Sequence, residues 1–169
     1  DAAIQQMNFY SAQTKPLSGA CWAEGVMYLR LSGTEGAVVQ TAKEWGGDRM
    51  ADSAEIWRSV REFDHPFFSG DAPLWRFSHR PTAAAQQQFG PLFIDWGGAQ
   101  RWVRGEQNRS ALEECAEAAG GHVSLYRGGD RSSEVKHPLN ALQRGLHQRL
   151  KHAFDPEGIL NPGRLYSWM

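Results

Sequence analysis

The sequence predicts an α+β domain, an antiparallel sheet covered by helices. Three observations carry that expectation. Short runs rich in aliphatic and aromatic residues recur at 26–31, 74–79, 92–96, 100–104 and 122–126. Apolar residues at helical spacing occupy other stretches, at 37–45, 52–63, 110–119 and 139–153. The runs at 92–96 and 100–104 flank Gly97-Gly98, which reads as a hairpin and makes the pairing antiparallel there.

In order along the chain, Ile4, Met7 and Phe9-Tyr10 mark a short helix within residues 1–16, and Lys15-Pro16-Leu17-Ser18-Gly19 reads as a linker or turn. A strand follows at 26–31, stopped by Ser32-Gly33-Thr34. Ala37, Val38, Thr41, Ala42 and Trp45 predict a helix that ends at Gly46-Gly47. Asp52 and Glu55 have capping-box spacing ahead of the apolar face Ile56, Trp57, Val60 and Phe63, and His65-Pro66 breaks that helix. Pro73 opens the strand 74–79, which Arg80-Pro81 closes. Ser110 and Glu113 predict a capped helix start, with Leu112, Cys115, Ala116 and Ala119 facing inward and Gly120-Gly121 ending it. After the strand at 122–126 comes the polar loop 128–133. Pro138 suits a first helical position, and Leu139, Leu142, Leu146, Leu150 and Ala153 define a long amphipathic helix.

The chain has 169 residues, 41% hydrophobic and 22% charged, enough for one domain with a real core. Its formal net charge of −1 gives no field that favours nucleic acid or an anionic membrane. Cys21 and Cys115 stand far apart and in no metal spacing, so they read as buried thiols of a reducing compartment. No apolar run is long enough to span a bilayer and no secretory signal is visible; the start at Asp1 suits an excised fragment. The glycine pairs lack Rossmann or P-loop spacing and read as turns. The seven tryptophans are mostly core, with one or two available to a cofactor or subunit surface.

The C-terminal stretch 154–166, Phe-Asp-Pro-Glu-Gly-Ile-Leu-Asn-Pro-Gly-Arg-Leu-Tyr, places two shaped turns around apolar residues. A solvated tail has no need of that pattern, so the stretch is expected to dock. Phe-Asp-Pro-x-Gly-Ile-x-Asn-Pro-Gly-Arg resembles the closing signature of FAD-linked oxidases of the vanillyl-alcohol-oxidase type. Within that family the chain most resembles the smaller FAD-binding subunits of bacterial glycolate oxidases, through residues 29–33, 73–78, 94–98 and 121–128 as well. The resemblance covers only the C-terminal half of such a subunit.

It implies a ferredoxin-like cap domain over a flavin, with FAD held mainly by an N-terminal domain missing from this chain. Residues 1–20 would be the handover from that domain, 21–153 the cap, and 154–169 a tail returning to the FAD domain. The implied activity is oxidation of glycolate, a 2-hydroxy acid, to glyoxylate, with flavin taking the hydride. The isolated fragment would be inactive. The implied partners are a larger flavoprotein subunit and an iron–sulfur subunit, and the location is cytoplasmic, peripheral at the inner membrane through the complex. The alternative is a non-catalytic docking module for those subunits.

Several residues invite a chemical role. Arg76, between Trp75 and Phe77, shares a strand face with Leu74 and Ser78. It reads either as a bidentate clamp for a substrate carboxylate or as half of an internal salt bridge to Asp95 or Glu55. Ser78, His79 and Arg127 are further substrate-binding candidates. His122 reads either as the base that takes the hydroxyl proton or as a hydrogen-bonded sheet histidine. The larger subunit of such complexes carries a Gly-His-x-Gly-Asp-Gly-Asn-x-His type motif, and only Gly121-His122 of it remains here, which speaks against a metal and against substrate oxidation on this subunit. In the tail, Asn161, Pro162, Gly163 and Arg164 are the cofactor-binding candidates. The Asn161 amide matches the donor–acceptor edge of a flavin and Arg164 suits an anion, whereas the bland reading is a turn and a solvated arginine.

Overall fold

A computed structural model describes residues 1–169. Five helices and six strands follow in the order α1 (Ala2–Ser11), β1 (Leu17–Ala23), β2 (Val26–Leu31), α2 (Glu35–Trp45), α3 (Ser53–Glu62), β3 (Leu74–Ser78), β4 (Leu92–Asp95), β5 (Gln100–Arg104), α4 (Arg109–Ala118), β6 (His122–Arg127) and α5 (Ala141–Phe154). The strands form a single sheet in the order β2-β1-β4-β5-β3-β6, antiparallel at every pairing. The fold is therefore α+β, as the hairpin and the alternating runs require.

Strand alternation divides the sheet into two faces. On one, Trp75, Phe77, Leu92, Ile94, Val103, Val123 and Leu125 form a core with Ile4 and Met7 of α1 and Leu112 and Ala116 of α4. Spacing of three and four residues on each helix presents these side chains on one side. On the other face, Cys21, Ala23, Leu74, Phe93 and Trp102 pack with Phe67 and Phe68, and with Trp57 and Val60 of α3 and Phe63 beside them. The first face is closed by α1 and α4. The second is roofed only over part of its area, and the candidate site lies there.

Arg101 is an exception within the first core. It is fully buried, yet its guanidinium is satisfied by the carbonyls of Gly98 (3.1 Å), Ala83 (2.5 Å) and Ala84 and by Gln86 Oε1 (2.9 Å). Burial pulls its pKa down to about 10. One cation thus ties the loop 83–86 to the β4–β5 turn.

Several expectations are corrected. Of the linker or turn expected at Lys15–Gly19, only Lys15-Pro16 lie outside the sheet; Leu17 opens β1, which pairs with β2 across the two-residue turn Glu24-Gly25 (φ 50° and 88°). Its small residues hide the strand; Gly19 admits the Trp57 ring, which a Cβ would meet at 3.3 Å. α4 is capped by Asn108 rather than Ser110, and α5 by Asn140 in a capping box with Gln143, leaving Pro138 outside the helix. Asp52 precedes α3 but makes no side-chain cap bond. Cys115 is half-buried rather than buried, and both cysteines are free thiols.

The largest departure concerns α5. Its leucine stripe covers no core: Leu142 is 71% exposed, Leu146 48% and Leu150 59%. Phe154, Ile159, Leu160 and Leu165 extend the same exposed apolar character into the tail. No helix is long and apolar enough to cross a membrane.

Candidate functional site

The partly roofed sheet face holds an open cavity of about 940 Å3 between α3 and the strands. Its aromatic walls are Trp57, Phe63, Phe68, Trp102 and Tyr126, and its polar groups include Arg76, Asp95 and Gln100. Register explains the placement. Phe93, Trp102, Arg76 and Ser124 are direct neighbours across β4, β5, β3 and β6, and Asp95, Gln100, Ser78 and His122 form the adjacent row. A polar row thus runs beside a row containing one guanidinium.

Arg76 forms no ion pair. Its expected internal partners are otherwise engaged: Glu55 meets Arg58, and Asp95 Oδ1 accepts from the Trp96 amide at 2.8 Å. The Arg76 guanidinium lies 5.7 Å from the Tyr126 ring centroid, and its buried Nε has no hydrogen-bond partner. A buried donor left unpaired costs about 1–3 kcal/mol, a cost that an acceptor bound in the cavity would remove. The other arginines on the rim are compensated. Arg58 pairs with Glu55 and Asp64, Arg61 with Glu62, and Arg30 is held by Ser18 and packs on Trp57. Burial raises the Asp95 carboxyl, partly offset by the Trp96 N–H.

The remaining candidates separate. Ser78 and His122 share the Arg76 face, with His122 exposed at its rim. Desolvation, then the positive charges of His137, Arg76 and Lys136, hold the His122 pKa below its ordinary value. Its ring centroid is 6.5 Å from that of His137. His79 points to the opposite face, buried, with Nδ1 3.0 Å from the Arg80 carbonyl and Nε2 3.1 Å from Gln86 Nε2. It does not line the cavity that Arg76 enters. Arg127 turns its guanidinium to the Phe68 carbonyl and braces the roof. Sequence reasoning missed Gln100 and the aromatic walls, because only the strand order brings β3 between β5 and β6.

The tail is built rather than loose. Asp155 is buried and accepts from the amides of Ile159 (3.0 Å) and Leu160 (2.9 Å) while pairing with Lys151 at 2.5 Å. The Lys151 bond first, then those amides, keep its carboxyl below the usual range. Further on, the buried Tyr166 donates its hydroxyl to the His137 carbonyl, and Glu134 accepts from the Ser167 amide. Between these anchors Asn161 (φ 49°), Pro162, Gly163 and Arg164 are presented to solvent. Gly163 and Arg164 wall a second cavity, of about 470 Å3, which shares Tyr126 with the first.

Residues 127–165 match the family of FAD linked oxidases, C-terminal domain. The chain is 35% identical over 165 residues to the glycolate oxidase subunit GlcE of Escherichia coli (strain K12). The match covers 98% of this chain and 46% of that relative, so the chain spans about half the length of the curated relative it matches. No solved structure matches. The chain is therefore a homologue of GlcE, and its residues 127–165 carry the match to the C-terminal domain of the FAD-linked oxidases.

Proposed function

We propose that this chain is the C-terminal part of an FAD-binding subunit that oxidises glycolate to glyoxylate. In this reading residues 1–20 come over from a flavin-holding domain, with α1 and the first half of β1 packed into the cap that 21–153 otherwise form, and 154–169 return as a strap. The observation that carries it is Arg76: a guanidinium with an orphaned buried Nε in an aromatic-walled cavity, beside Ser78 and within the field of His122.

The residues present fit a flavin at this face. The cavity is open on the side α3 leaves uncovered, and the strap holds Asn161 and the Pro162–Gly163 backbone outward, available to an isoalloxazine edge. When bound, FAD supplies the hydride acceptor. This chain's own groups do the rest. Arg76 binds the glycolate carboxylate, the Ser78 hydroxyl orients the substrate oxygen, and the aromatic walls exclude water. His122, neutral near pH 7 because its pKa is lowered, accepts the hydroxyl proton as the hydride leaves.

A test follows from that last assignment. A base must be unprotonated, so kcat/KM falls as pH drops through the lowered His122 pKa, below the usual histidine value near 6.5. In His122→Gln the rate drops by about 100-fold and the acid limb of the profile disappears. An unchanged limb removes His122 from the chemistry.

A second reading has its own support. The exposed stripe Leu142, Leu146 and Leu150, continued by Phe154, Ile159 and Leu160, is an apolar surface that this chain leaves uncovered. It suits either the flavin-holding domain or the larger flavoprotein and iron–sulfur subunits of a complex. In the latter case the domain is a docking module without direct chemistry.

A further inference from the structure

The second cavity has an electrostatic character that the glycolate reading does not use. Its lining carries three cations, Arg131, Lys136 and Arg164, and no acid. The chain as a whole has a net charge of −1, so this concentration is local rather than a share of a basic surface. None of the three forms an ion pair. Arg131 is steadied by the Leu125 and Tyr126 carbonyls at 3.4 and 3.3 Å, which occupies one of its nitrogens. The nearby acids are turned elsewhere: Glu134 is taken by Ser167, Glu117 faces His137, and Asp130 accepts from the Ser132 amide. The floor is Ser124, a buried residue directly opposite Arg76 across the β3–β6 ladder.

We infer that Arg131, Lys136 and Arg164 form an anion site for a phosphoryl group, separate from Arg76. Three converging cations with no counter-charge repel one another, and a dianion with three or more acceptor oxygens relieves that repulsion better than a monocarboxylate. The three come from different places: Arg131 and Lys136 from the segment after β6, Arg164 from the strap. An anion between them therefore fastens the strap to the sheet edge. The phosphoryl group has two sources, free inorganic phosphate or the phosphate end of a nucleotide, and both present the same oxygens. The inference goes beyond the glycolate reading and is tested apart from it: Lys136 lies close enough to lower the His122 pKa, but phosphate binding as read by titration needs neither Arg76 nor His122.

The test is calorimetric titration of the full-length protein with inorganic phosphate, ADP and glycolate at low ionic strength, with amide hydrogen exchange of residues 161–168 read alongside. Phosphate is expected to bind saturably, to slow exchange in the strap, and to weaken as salt is added. Arg164→Gln and Lys136→Gln should each lower its affinity by about fivefold, while Arg149→Gln, on α5 and outside the cavity, should leave it unchanged. Because neither Lys136 nor Arg164 forms an ion pair in the fold, these variants test binding rather than folding. Tighter binding of ADP than of phosphate assigns the site to a nucleotide, and equal binding to the free ion. Phosphate affinity that survives both substitutions, glycolate competing as strongly as phosphate, or an absence of saturable phosphate binding overturns the inference.

Discussion

Arg76→Ala in the full-length flavoprotein is expected to raise the KM for glycolate by roughly two orders of magnitude, the value of a pair of charge-assisted hydrogen bonds to a carboxylate. Arg76→Lys should recover only part of this, because an ammonium cannot reproduce the planar fork. The same alanine variant is expected to melt no lower than wild type. Arg76 forms no ion pair, and its buried Nε is unpaired in the fold, so removing it relieves a desolvation cost. An arginine kept for structure would show the reverse, a lower melting temperature with an unchanged KM. The two readouts together separate a ligand-binding arginine from a bracing one.

Arg101→Ala is expected to have the largest effect on stability, at least about 3 kcal/mol, because it leaves the carbonyls of Gly98, Ala83 and Ala84 and the Gln86 side chain without their shared donor. For a domain of this size that corresponds to a fall in melting temperature of roughly 10 °C. Thermal melts or urea unfolding check it. A loss below about 1 kcal/mol would mean that water replaces the guanidinium and that the loop 83–86 is held by other means.

These two arginines show how far the sequence could be read. Arg76 lies between Trp75 and Phe77 and Arg101 between Gln100 and Trp102, and nothing local tells which of them meets a partner. Arg101 shares the closed face with Val103, and the loop 83–86 happens to bring three acceptors to it, with the Gly98 carbonyl as a fourth. Arg76 shares the open face with Trp102 and meets no acceptor. The difference lies in strand order and in which helices roof which face, and neither follows from residue spacing. The histidines teach the same lesson. Alternation separates His79 from Ser78, but only the helices make the His79 face the closed one.

The helices and most strands were legible because their periodicity is strong. β1 was not, since Leu17-Ser18-Gly19-Ala20 has weak strand propensity and its place is decided by pairing with β2 and β4. The α5 stripe was legible as amphipathic, but not as uncovered. A hydrophobic face announces that something will bury it, not whether that something belongs to the same stretch of chain. The tail motif was the most informative sequence feature, and its inner logic, Asp155 caging the amides of Ile159 and Leu160, explains why the turn keeps its shape while its apolar side chains stay outside.

The most direct measurement is the visible spectrum of the full-length subunit, purified without its partners and mixed anaerobically with glycolate. The account predicts a yellow protein whose flavin band bleaches on addition of glycolate. A yellow protein that stays oxidised until another subunit is supplied would contradict it and leave the domain as a docking module. A colourless protein would remove the flavin from this face altogether.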